Sequence, residues 1–582
     1  MPERRSAVFG RAFARALWQL LRVYWTAPAA RWGALLLAGA ISLELGLVFG
    51  NVLLSDGQRR VFDALEARSA ADFAVGVTFF LGATVFTVLA ATFRIYMRQA
   101  LEIHWREHLT TDFVARWVGQ SAFWQAELHE GRIDNPDQRI AEDIRDFVAS
   151  ALGLSLSLLS AFVTLASFGG ILWTLSGRWP VHVGGVEYHI PGLMMWVAIG
   201  SAIVAIWGTH MVGRRLVPIN FDRLRCEADF RYGLVRFRDH AEAVVIARGE
   251  SVERQSLGQR FRCVVNNYWE LIRAQRNLSL LTQSIGHANG ILPLLIAAPS
   301  FFAGHLTLGM VAQVRVAYAE VSGALTWFVN AYQEIARWRA NIERLNAFCE
   351  VMATTAAEVD PQRAGLQVRP VADAGLELED VRLDAPDGRV LVSRASGAVR
   401  KGERVAILGP AGAGKTVLFR AMAGMWPFGA GRIEVPAVDR TLFLPQRPYL
   451  PIGTLCAAVA YPAPADAYPR ERLCEVLGAL GLGHLEAHLD EEQNWEQRLS
   501  SAEQQRLGLA RVFVHQPDWL FLDEVTSALD EASERRVYEL LAERLPNVTM
   551  VAVTQRPIAL RHFPRRWFLE PHDHGPAVLQ TG

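Results

Sequence analysis

A glycine-rich loop between a strand-like run and a helical stretch is the clearest chemical feature of the sequence. The apolar run Val405–Leu408 leads into this loop, and a helical stretch begins at Val417. Backbone N–H groups in such a loop converge on phosphate oxygens, and the helix N-terminus adds its partial positive charge. The pattern predicts a P-loop that binds ATP and Mg²⁺. Its residues are Gly409, Pro410, Ala411, Gly412, Ala413, Gly414, Lys415 and Thr416.

Within this loop, Lys415 and Thr416 have separate predicted roles. Lys415 is expected to reach the outer phosphates, and Thr416 is expected to ligate Mg²⁺. Lys401 and Lys415 are the only lysines among 59 basic residues, so the chain otherwise uses Arg. A lysine retained here favours a site that requires a compact ammonium rather than a planar guanidinium.

Two adjacent carboxylates follow a second apolar run about 110 residues further along the chain. The run Trp519–Leu522 has the composition of a buried strand, and it ends in Asp523 and Glu524. At the end of a strand, Asp523 would bind Mg²⁺ directly or through water, while Glu524 would polarise the attacking water as a general base. Together with the loop, this pair predicts hydrolysis of a nucleoside triphosphate.

Three further segments resemble the motifs of ABC ATPases. Leu499–Arg506 resembles the signature motif, Ser527–Asp530 resembles the D-loop, and Gln446 occupies the position of the Q-loop glutamine. The resemblance implies that Gln446 joins Thr416 and Asp523 around the metal. It also implies that the nucleotide is contacted by Gln446, Ser500, Ser501, Ala502, Glu503 and Asp530.

The same resemblance implies a dimer. In ABC ATPases, each nucleotide lies between the P-loop of one subunit and the signature motif of the other. One ATPase domain per chain therefore implies a second copy, or alternatively a similar half-transporter whose two sites are unequal. A symmetric homodimer is the simpler arrangement.

The sequence departs from the ABC pattern at three places. Ser501 and Ala502 stand where the signature motif usually has glycine, and the added side chains would crowd the γ-phosphate of the partner's nucleotide. Gln555 replaces the switch histidine, and we assign it to catalysis beside Glu524. No aromatic residue that would stack on adenine stands near Ala385. These departures make ATP binding a firmer expectation than fast hydrolysis.

The elements before about residue 335 are apolar enough to form a membrane domain. Hydrophobic residues make up 51% of the chain and charged residues 20%. Arg is concentrated in the N-terminal segment and in the first long loop, which predicts cytoplasmic termini. The net charge of +0 gives no reason to expect nucleic acid as a partner. Six stretches are predicted to span the membrane, near 33–54, 74–97, 148–176, 191–213, 278–303 and 307–331.

The predicted architecture is an all-α membrane domain, with six transmembrane helices as in type IV exporters, fused to an α/β P-loop ATPase domain. We expect a membrane domain with cytoplasmic helical extensions over 1–351, a linker over 352–371 and a nucleotide-binding domain over 372–582. The six spans exclude a soluble ABC ATPase that regulates without transporting. Lys415, Asp523 and Glu524 argue against a secondary transporter that works without ATP.

Several residues of the membrane half have two possible interpretations. Glu44, Arg315 and Glu320 lie inside predicted spans, where ionisable groups are costly and often functional. They line a wet substrate cavity or, alternatively, form ion pairs between helices. The five cysteines are widely spaced without a CxxC pair, so we expect all of them to be reduced and structural.

Finer features resemble the bacterial SbmA/BacA-type transporters with a fused ATPase, which are related to the peroxisomal subfamily D. These features include Gly424–Pro427, Phe443–Pro451 and Tyr332–Arg339. The resemblance implies an ATP-driven transporter in the bacterial inner membrane. Its cargo would be a hydrophilic or amphipathic solute, such as a peptide or a cobalamin-like compound. The subfamily D relation implies acyl-CoA or lipid transport as the alternative.

Overall fold

The computed structural model describes residues 11–119, 123–124, 135–177, 180–183, 186–358, 365–371, 375–571 and 575–581. The chain divides into two compact units. The first comprises Met1–Asp112 and Asp137–Asn346, and the second comprises Phe113–Pro136 and Ala347–Gly582.

Long helices make up the N-terminal part of the chain. A short helix, Pro136–Gln138, and a π-helical turn, Arg139–Asp143, precede α4, and a small hairpin of β1 (Pro180–Val183) and β2 (Val186–His189) follows it. The helices are α1 (Arg11–Trp25), α2 (Ala30–Glu66), α3 (Ala70–Val118), α4 (Ile144–Leu175), α5 (Leu193–Gly213), α6 (Leu216–Asp239), α7 (Ala241–Ile246), α8 (Glu250–Phe302), α9 (Leu308–Leu325) and α10 (Trp327–Glu358).

Five helical segments in the described part of the chain are long and apolar enough to cross a membrane. They are Ala30–Glu66, Ala70–Val118, Pro136–Leu175, Leu193–Gly213 and Glu250–Phe302. Each overlaps one of the first five predicted spans. The sixth predicted span, 307–331, contains α9, whose 18 residues are not among the five qualifying segments.

Small and aromatic side chains pack the core between these helices. Phe168 and Leu172 of α4 contact Met194 and Ala198 of α5, and Tyr318 of α9 completes the cluster. Alanines at such contacts let helix backbones approach closely, which is how helices pack in lipid. The opposite helix faces expose large apolar side chains, including Leu81, Phe162 and Trp207, as expected where lipid is the solvent.

A ten-stranded sheet organises the second unit, in the order β3-β7-β4-β5-β14-β13-β6-β12-β11-β8. Its central strands are almost wholly buried, which explains their continuous apolar sequences. The strands are β3 (Leu366–Val371), β4 (Leu376–Asp384), β5 (Val390–Val399), β6 (Arg404–Leu408), β7 (Gly429–Pro436), β8 (Thr441–Leu444), β11 (Trp519–Asp523), β12 (Thr549–Val553), β13 (Arg565–Pro571) and β14 (Ala577–Thr581). A separate pair comprises β9 (Gly453–Thr454) and β10 (Glu492–Gln493).

Parallel pairing in this sheet determines where polar residues collect. Strand β12 pairs in parallel with β6 and β11, and β11 pairs in parallel with β8. The carboxyl ends of these four strands therefore lie at one edge, where ligands bind in α/β sheets. The helices of this unit are α11 (Lys415–Met422), α12 (Leu455–Ala460), α13 (Arg470–Ala479), α14 (Trp495–Arg498), α15 (Ser501–His515), α16 (Glu531–Arg544) and α17 (Pro557–Leu560).

The span predicted as a linker, 352–371, contains regular structure at both ends. Helix α10 continues to Glu358, and β3 pairs in parallel with β7 inside the sheet. Residues 359–364 lie outside the described ranges. The proportion of apolar residues changes gradually over 352–371. Composition alone therefore predicted neither the end of α10 nor the start of β3.

The expectation that all five cysteines are reduced is wrong for two of them. The structure joins Cys226 of α6 to Cys263 of α8 in a disulfide, with their Cα atoms 5.9 Å apart. Among the described residues, Cys349, Cys456 and Cys474 form no disulfide. The pair gave no signal in the sequence because the two residues meet only through packing of α6 against α8.

Candidate functional site

The glycine-rich loop joins β6 to α11 at the polar edge of the sheet. Gly412 and Gly414 have φ values of +81° and +90°, in the left-handed region that glycine adopts without a Cβ penalty. Gly414 is the N-cap of α11, so the loop ends at a helix N-terminus. This geometry can present backbone N–H groups and the helix dipole to an anion.

Lys415 is folded back over its own loop. Its side chain is buried, and Nζ donates to the carbonyl oxygens of Gly409 and Pro410, both at 2.8 Å. Neither acceptor carries a full charge. Phosphate oxygens therefore offer the ammonium stronger, charge-assisted partners at a short distance from its present position.

Asp523 is a buried carboxylate beside the loop. It ends β11, and the Thr416 hydroxyl donates a hydrogen bond to it. Burial, followed by the charge of Glu524, raises the pKa of Asp523, while Arg420, Thr416 and Lys415 act in the opposite direction. A divalent cation would relieve the cost of this buried charge. A hydroxyl and a carboxylate are the oxygen donors that Mg²⁺ prefers, so Thr416 and Asp523 fit that ion.

Glu524 leaves the strand with an unusual backbone. Its φ is +47°, which is uncommon for a residue with a Cβ, and its N–H donates to the Val553 oxygen at 2.9 Å. The turned backbone brings the carboxylate to Gln446, whose Nε2 donates to Glu524 Oε2 at 3.4 Å. The predicted base and the predicted Q-loop glutamine therefore meet.

Gln555, at the histidine position, contacts the loop from a third direction. It follows β12, and its Nε2 donates to the Gly409 oxygen at 2.6 Å. The same oxygen accepts from Lys415, so both side chains converge on Gly409. Neutral glutamine retains a donor for this position but has no positively charged state.

The predicted signature residues lie at the start of α15. Ser500 is the N-cap and forms a reciprocal capping box with Glu503, whose carboxylate accepts from the Ser500 N–H at 2.9 Å. The hydrogen bond from the Ser500 hydroxyl to this carboxylate, followed by those from the Ser500 N–H and from His484, lowers the pKa of Glu503. Ser501 is exposed, and Ala502 is partly buried.

These motif residues form two groups within the chain. Lys415, Thr416, Gln446, Asp523, Glu524 and Gln555 are connected through contacts around Gly409 and the strand ends. Among the described residues, no hydrogen bond joins Ser500, Ser501, Ala502, Glu503 or Asp530 to Gly409–Thr416. Asp530 instead serves as the N-cap residue of α16.

A contact with the helix of the P-loop was missing from the sequence interpretation. Trp124 belongs to the segment Phe113–Pro136 of this unit, and its Nε1 donates to the Met425 oxygen at 3.1 Å. The Arg420 guanidinium lies 5.0 Å from the Trp124 ring centroid, within cation–π range. An isolated Trp in a polar stretch gave no indication of this pairing.

A second polar site lies among the membrane helices. A cavity of about 690 Å³ is lined by Glu44 of α2, by Glu320 of α9, and by arginine and hydroxyl side chains. Two of the three predicted cavity residues therefore line one space. Arg315 is exposed on α9 and is not part of this lining.

Arg94 is the cavity residue that sequence reasoning missed. Its Nη1 donates to both Glu44 oxygens, at 3.0 and 2.9 Å, while its side chain remains one-third exposed (33%). Glu44 itself is 2% exposed, so this pair satisfies the buried carboxylate. The signal was present, because Arg94 lies in the predicted span 74–97.

Other polar groups in the cavity have no such partner. Arg98 lies one helical turn from Arg94 on α3, and with the described residues neither Arg98 nor Glu320 makes an ion pair. Ser157, Ser160 and Thr164 lie on one face of α4 and add hydroxyl groups. The cavity therefore offers both signs of charge, together with hydrogen-bonding groups.

The sequence matches two family models that fit this geometry. Residues 20–302 match the ABC transporter transmembrane region 2, and residues 392–527 match the ABC transporter ATPase model. The chain therefore belongs to the ABC transporter family, with a membrane region and an ATPase region fused in one polypeptide. It is a membrane transporter that binds ATP and couples its hydrolysis to transport.

Particular relatives cover almost the whole chain. An uncharacterized ABC transporter ATP-binding protein of Synechocystis sp. is 36% identical over 93% of this chain and 82% of that protein. The inner membrane ABC transporter ATP-binding protein YddA of Escherichia coli is 32% identical over 92% of this chain and 94% of that protein. ABC transporter D family member 2, chloroplastic, of Arabidopsis thaliana is 30% identical over 92% of this chain and 83% of that protein, which shows the relation to subfamily D.

A solved structure shows the same fold. A bacterial Atm1-family ABC exporter with ATP bound aligns with a TM-score of 0.69 and 19% identity, over 92% of this chain and 93% of that chain. The expected combination of a helical exporter-like membrane domain with an α/β ATPase domain is confirmed.

Proposed function

We propose that this chain moves a hydrophilic or amphipathic solute, such as a peptide or a cobalamin-like compound, across the bacterial inner membrane by alternating access. In this proposal it is SbmA/BacA-like, and its ATPase domain and both termini are cytoplasmic. The name of the Escherichia coli relative supports the inner membrane, and the Arg distribution supports the orientation.

The observation that carries the proposed cargo class is the charge balance of the membrane cavity. Glu44 and Glu320 supply two carboxylates, and Arg94 and Arg98 supply two guanidinium groups. Purely apolar cargo would gain nothing from these groups and would leave them desolvated. A solute with separated polar or charged groups can replace the lost water, and about 690 Å³ is within the size range of small-molecule sites.

The acyl-CoA or lipid alternative is favoured by the subfamily D relatives. An acyl-CoA carries several negative phosphate charges and a long apolar chain. A cavity whose four ionisable groups sum to zero provides no net positive field for such an anion. We therefore rank this alternative second.

The proposed ATP cycle assigns a role to each motif. Lys415 and the N–H groups of the P-loop hold the phosphates, and Glu524 orients and polarises the attacking water. Thr416, Asp523 and Gln446 would hold Mg²⁺, which would neutralise charge on the phosphates. Gln555 faces the γ-phosphate. Within the proposed 372–582 domain, Ser500–Glu503 and Asp530 serve the nucleotide of the second subunit.

We propose a homodimer as the working unit, because half-transporters of this family typically dimerise and one chain carries one full set of motifs. A heterodimer with a similar half-transporter is the alternative. Ser501, Ala502 and Gln555 support it, since altered motifs suit a pair with one slow ATP site. Co-expressing two differently tagged copies and isolating both tags together would support the homodimer.

The deciding experiment measures ATP turnover of the full chain in lipid nanodiscs with a peptide, cobalamin or an acyl-CoA added. Stimulation by peptide or cobalamin, with none by acyl-CoA, is the expected result. Glu524→Gln serves as the control, because stimulation that depends on this ATPase site should be largely lost with the proposed general base. Stimulation by acyl-CoA alone would replace the proposal with the lipid alternative.

A further inference from the structure

The D-loop, Ser527–Asp530, is held from two sides by side chains that do not belong to the proposed nucleotide contacts. It connects β11, which ends at the catalytic carboxylates, to α16. One side chain comes from α15 and the other from the segment after β12. These two residues, Gln505 and Arg556, determine how the loop is fixed.

Gln505 connects the D-loop to the Q-loop glutamine. Its side chain is buried, and Nε2 donates to the Gln446 carbonyl oxygen at 3.1 Å and to Ser527 Oγ at 2.9 Å. Its Oε1 accepts from the Ala528 N–H at 2.9 Å. Both amide hydrogens and the amide oxygen are therefore used, and only a neutral amide supplies this set.

Arg556 holds the other side of the D-loop. Its Nη1 donates to the carbonyl oxygens of Thr526, Ser527 and Leu529, at 2.8, 3.2 and 2.8 Å. All three acceptors are main-chain atoms. These hydrogen bonds therefore depend on the backbone conformation of the D-loop and not on the side chains that it carries. Nη1 has two hydrogens, so the three carbonyl oxygens share them, and the neighbouring Nε remains available for a second partner. A lysine has only one nitrogen and could not occupy both positions.

A buried carboxylate fixes Arg556 in turn. Arg556 Nε pairs with Glu534 Oε2 at 2.9 Å, and Glu534 is fully buried. The Thr526 hydroxyl donates to Glu534 Oε1 at 2.8 Å. Paired, buried charges of this kind hold one geometry, because separating them leaves an uncompensated charge.

Gln505 and Arg556 each lie beside a glutamine that belongs to the proposed nucleotide site. Gln505 bonds the main chain of Gln446, whose side chain contacts Glu524. Arg556 follows Gln555, whose side chain contacts the P-loop at Gly409. A shift of either glutamine when nucleotide binds or leaves therefore acts on the D-loop through one further residue.

We propose that Gln505 and Arg556 are positioning residues for ATP hydrolysis, which clamp the D-loop to the Q-loop and to the segment carrying Gln555. Among the described residues, neither side chain bonds the P-loop Gly409–Thr416. Substituting either residue therefore leaves ATP binding intact. It lowers ATP turnover, because the D-loop is no longer coupled to the Q-loop and to the segment carrying Gln555. The inference depends on the ATPase activity and not on the identity of the cargo.

The test compares Gln505→Glu with Gln516→Glu in the full chain, using basal ATP turnover and binding of a fluorescent ATP analogue. Gln516 is a matched control on the same helix, because it is the exposed C-cap residue of α15 and lies outside the signature motif and the D-loop. Gln505→Glu keeps the acceptor and removes both donors. We expect kcat to fall by about tenfold, as for a lost buried hydrogen bond, with analogue affinity within about twofold.

Arg556→Lys tests the contact on the other side of the D-loop. It provides the test of the proposal if Gln505→Glu does not fold. It keeps a positive charge, but its single nitrogen cannot occupy both the position of Nε beside Glu534 and the position of Nη1 at the D-loop carbonyl oxygens. The expected result is again a kcat loss at nearly unchanged affinity, and the double variant should lose less than the product of the two single losses. Parallel loss of affinity and kcat, an equal kcat loss in Gln516→Glu, or no loss in either clamp variant would overturn the proposal.

Discussion

The ATPase site and the membrane cavity use charged residues in opposite ways. Around the P-loop, Lys415, Asp523 and Glu524 each have a neutral hydrogen-bond partner within the chain. In the cavity, Glu44 and Arg94 pair with each other, whereas Arg98 and Glu320 have no ion-pair partner among the described residues. A site for one invariant group, the triphosphate, is preorganised in advance. The cavity leaves charges free for its ligand.

The largest expected effect tests preorganisation in the ATPase site. Glu524→Gln removes the base but keeps a side chain that can still contact Gln446, so ATP binding should persist. We expect kcat to fall by about 10²-fold or more, since general-base catalysis contributes roughly that much. Phosphate release and ATP-analogue binding measure the two quantities. If Glu524→Gln hydrolyses ATP at the wild-type rate, Glu524 is not the general base.

Lys415→Ala should weaken ATP binding rather than only slow turnover. The variant loses a charge-assisted contact to the outer phosphates, and we expect about a tenfold or greater rise in the Kd for ATP. Lys401→Ala is the matched control, because Lys401 is exposed and lies 3.6 Å from Asp518. If both lysine variants bind ATP like the wild type, the ATPase site is not preorganised around Lys415.

The cavity is tested by neutralising its two carboxylates separately. Glu44→Gln weakens the pair with Arg94, and Glu320→Gln removes the carboxylate without an ion-pair partner. Both should reduce cargo-stimulated ATP turnover several-fold while basal turnover changes less, because cargo contacts the cavity and the nucleotide does not. Arg315→Gln, outside the cavity lining, should behave like the wild type. An equal response from all three variants would indicate a general effect on helix packing.

The smallest expected effect concerns the altered motifs. Gln555→His restores a side chain that can carry positive charge near the γ-phosphate, and Ala502→Gly relieves crowding at the signature. We expect kcat to rise by about two- to fivefold, far less than the effect of losing an oxyanion donor. The double variant should be non-additive if both residues meet at one nucleotide. Unchanged turnover in every variant would show that hydrolysis is limited elsewhere, for instance by domain opening.

The sequence predicted the ATPase site more completely than the cavity for a physical reason. Phosphate geometry dictates a loop, an ammonium and two carboxylates, and Gly409–Thr416, Asp523 and Glu524 carry these at recognisable spacings. Cargo imposes no such pattern, so Glu44 and Glu320 stood out only as charges in apolar stretches. Arg315 looked equivalent to them because hydropathy does not reveal which helix face a residue occupies.

Contacts between distant segments accounted for the remaining differences. Arg94 partners Glu44 across 50 positions, and Cys226 meets Cys263 through helix packing. Gln505 stood inside a motif, but its role depends on the D-loop folding against α15. Local patterns predict the strands and helices that surround each residue. They do not predict which side chains those elements bring together.

The left-handed backbone of Glu524 carries a thermodynamic consequence. A residue with a Cβ pays roughly 1–2 kcal/mol to adopt φ near +47°, whereas glycine pays almost nothing. Glycine at this position would therefore make the fold more stable and destroy the base. Selection for stability alone would favour that replacement. Keeping glutamate at this position therefore exchanges some backbone stability for the proposed general base.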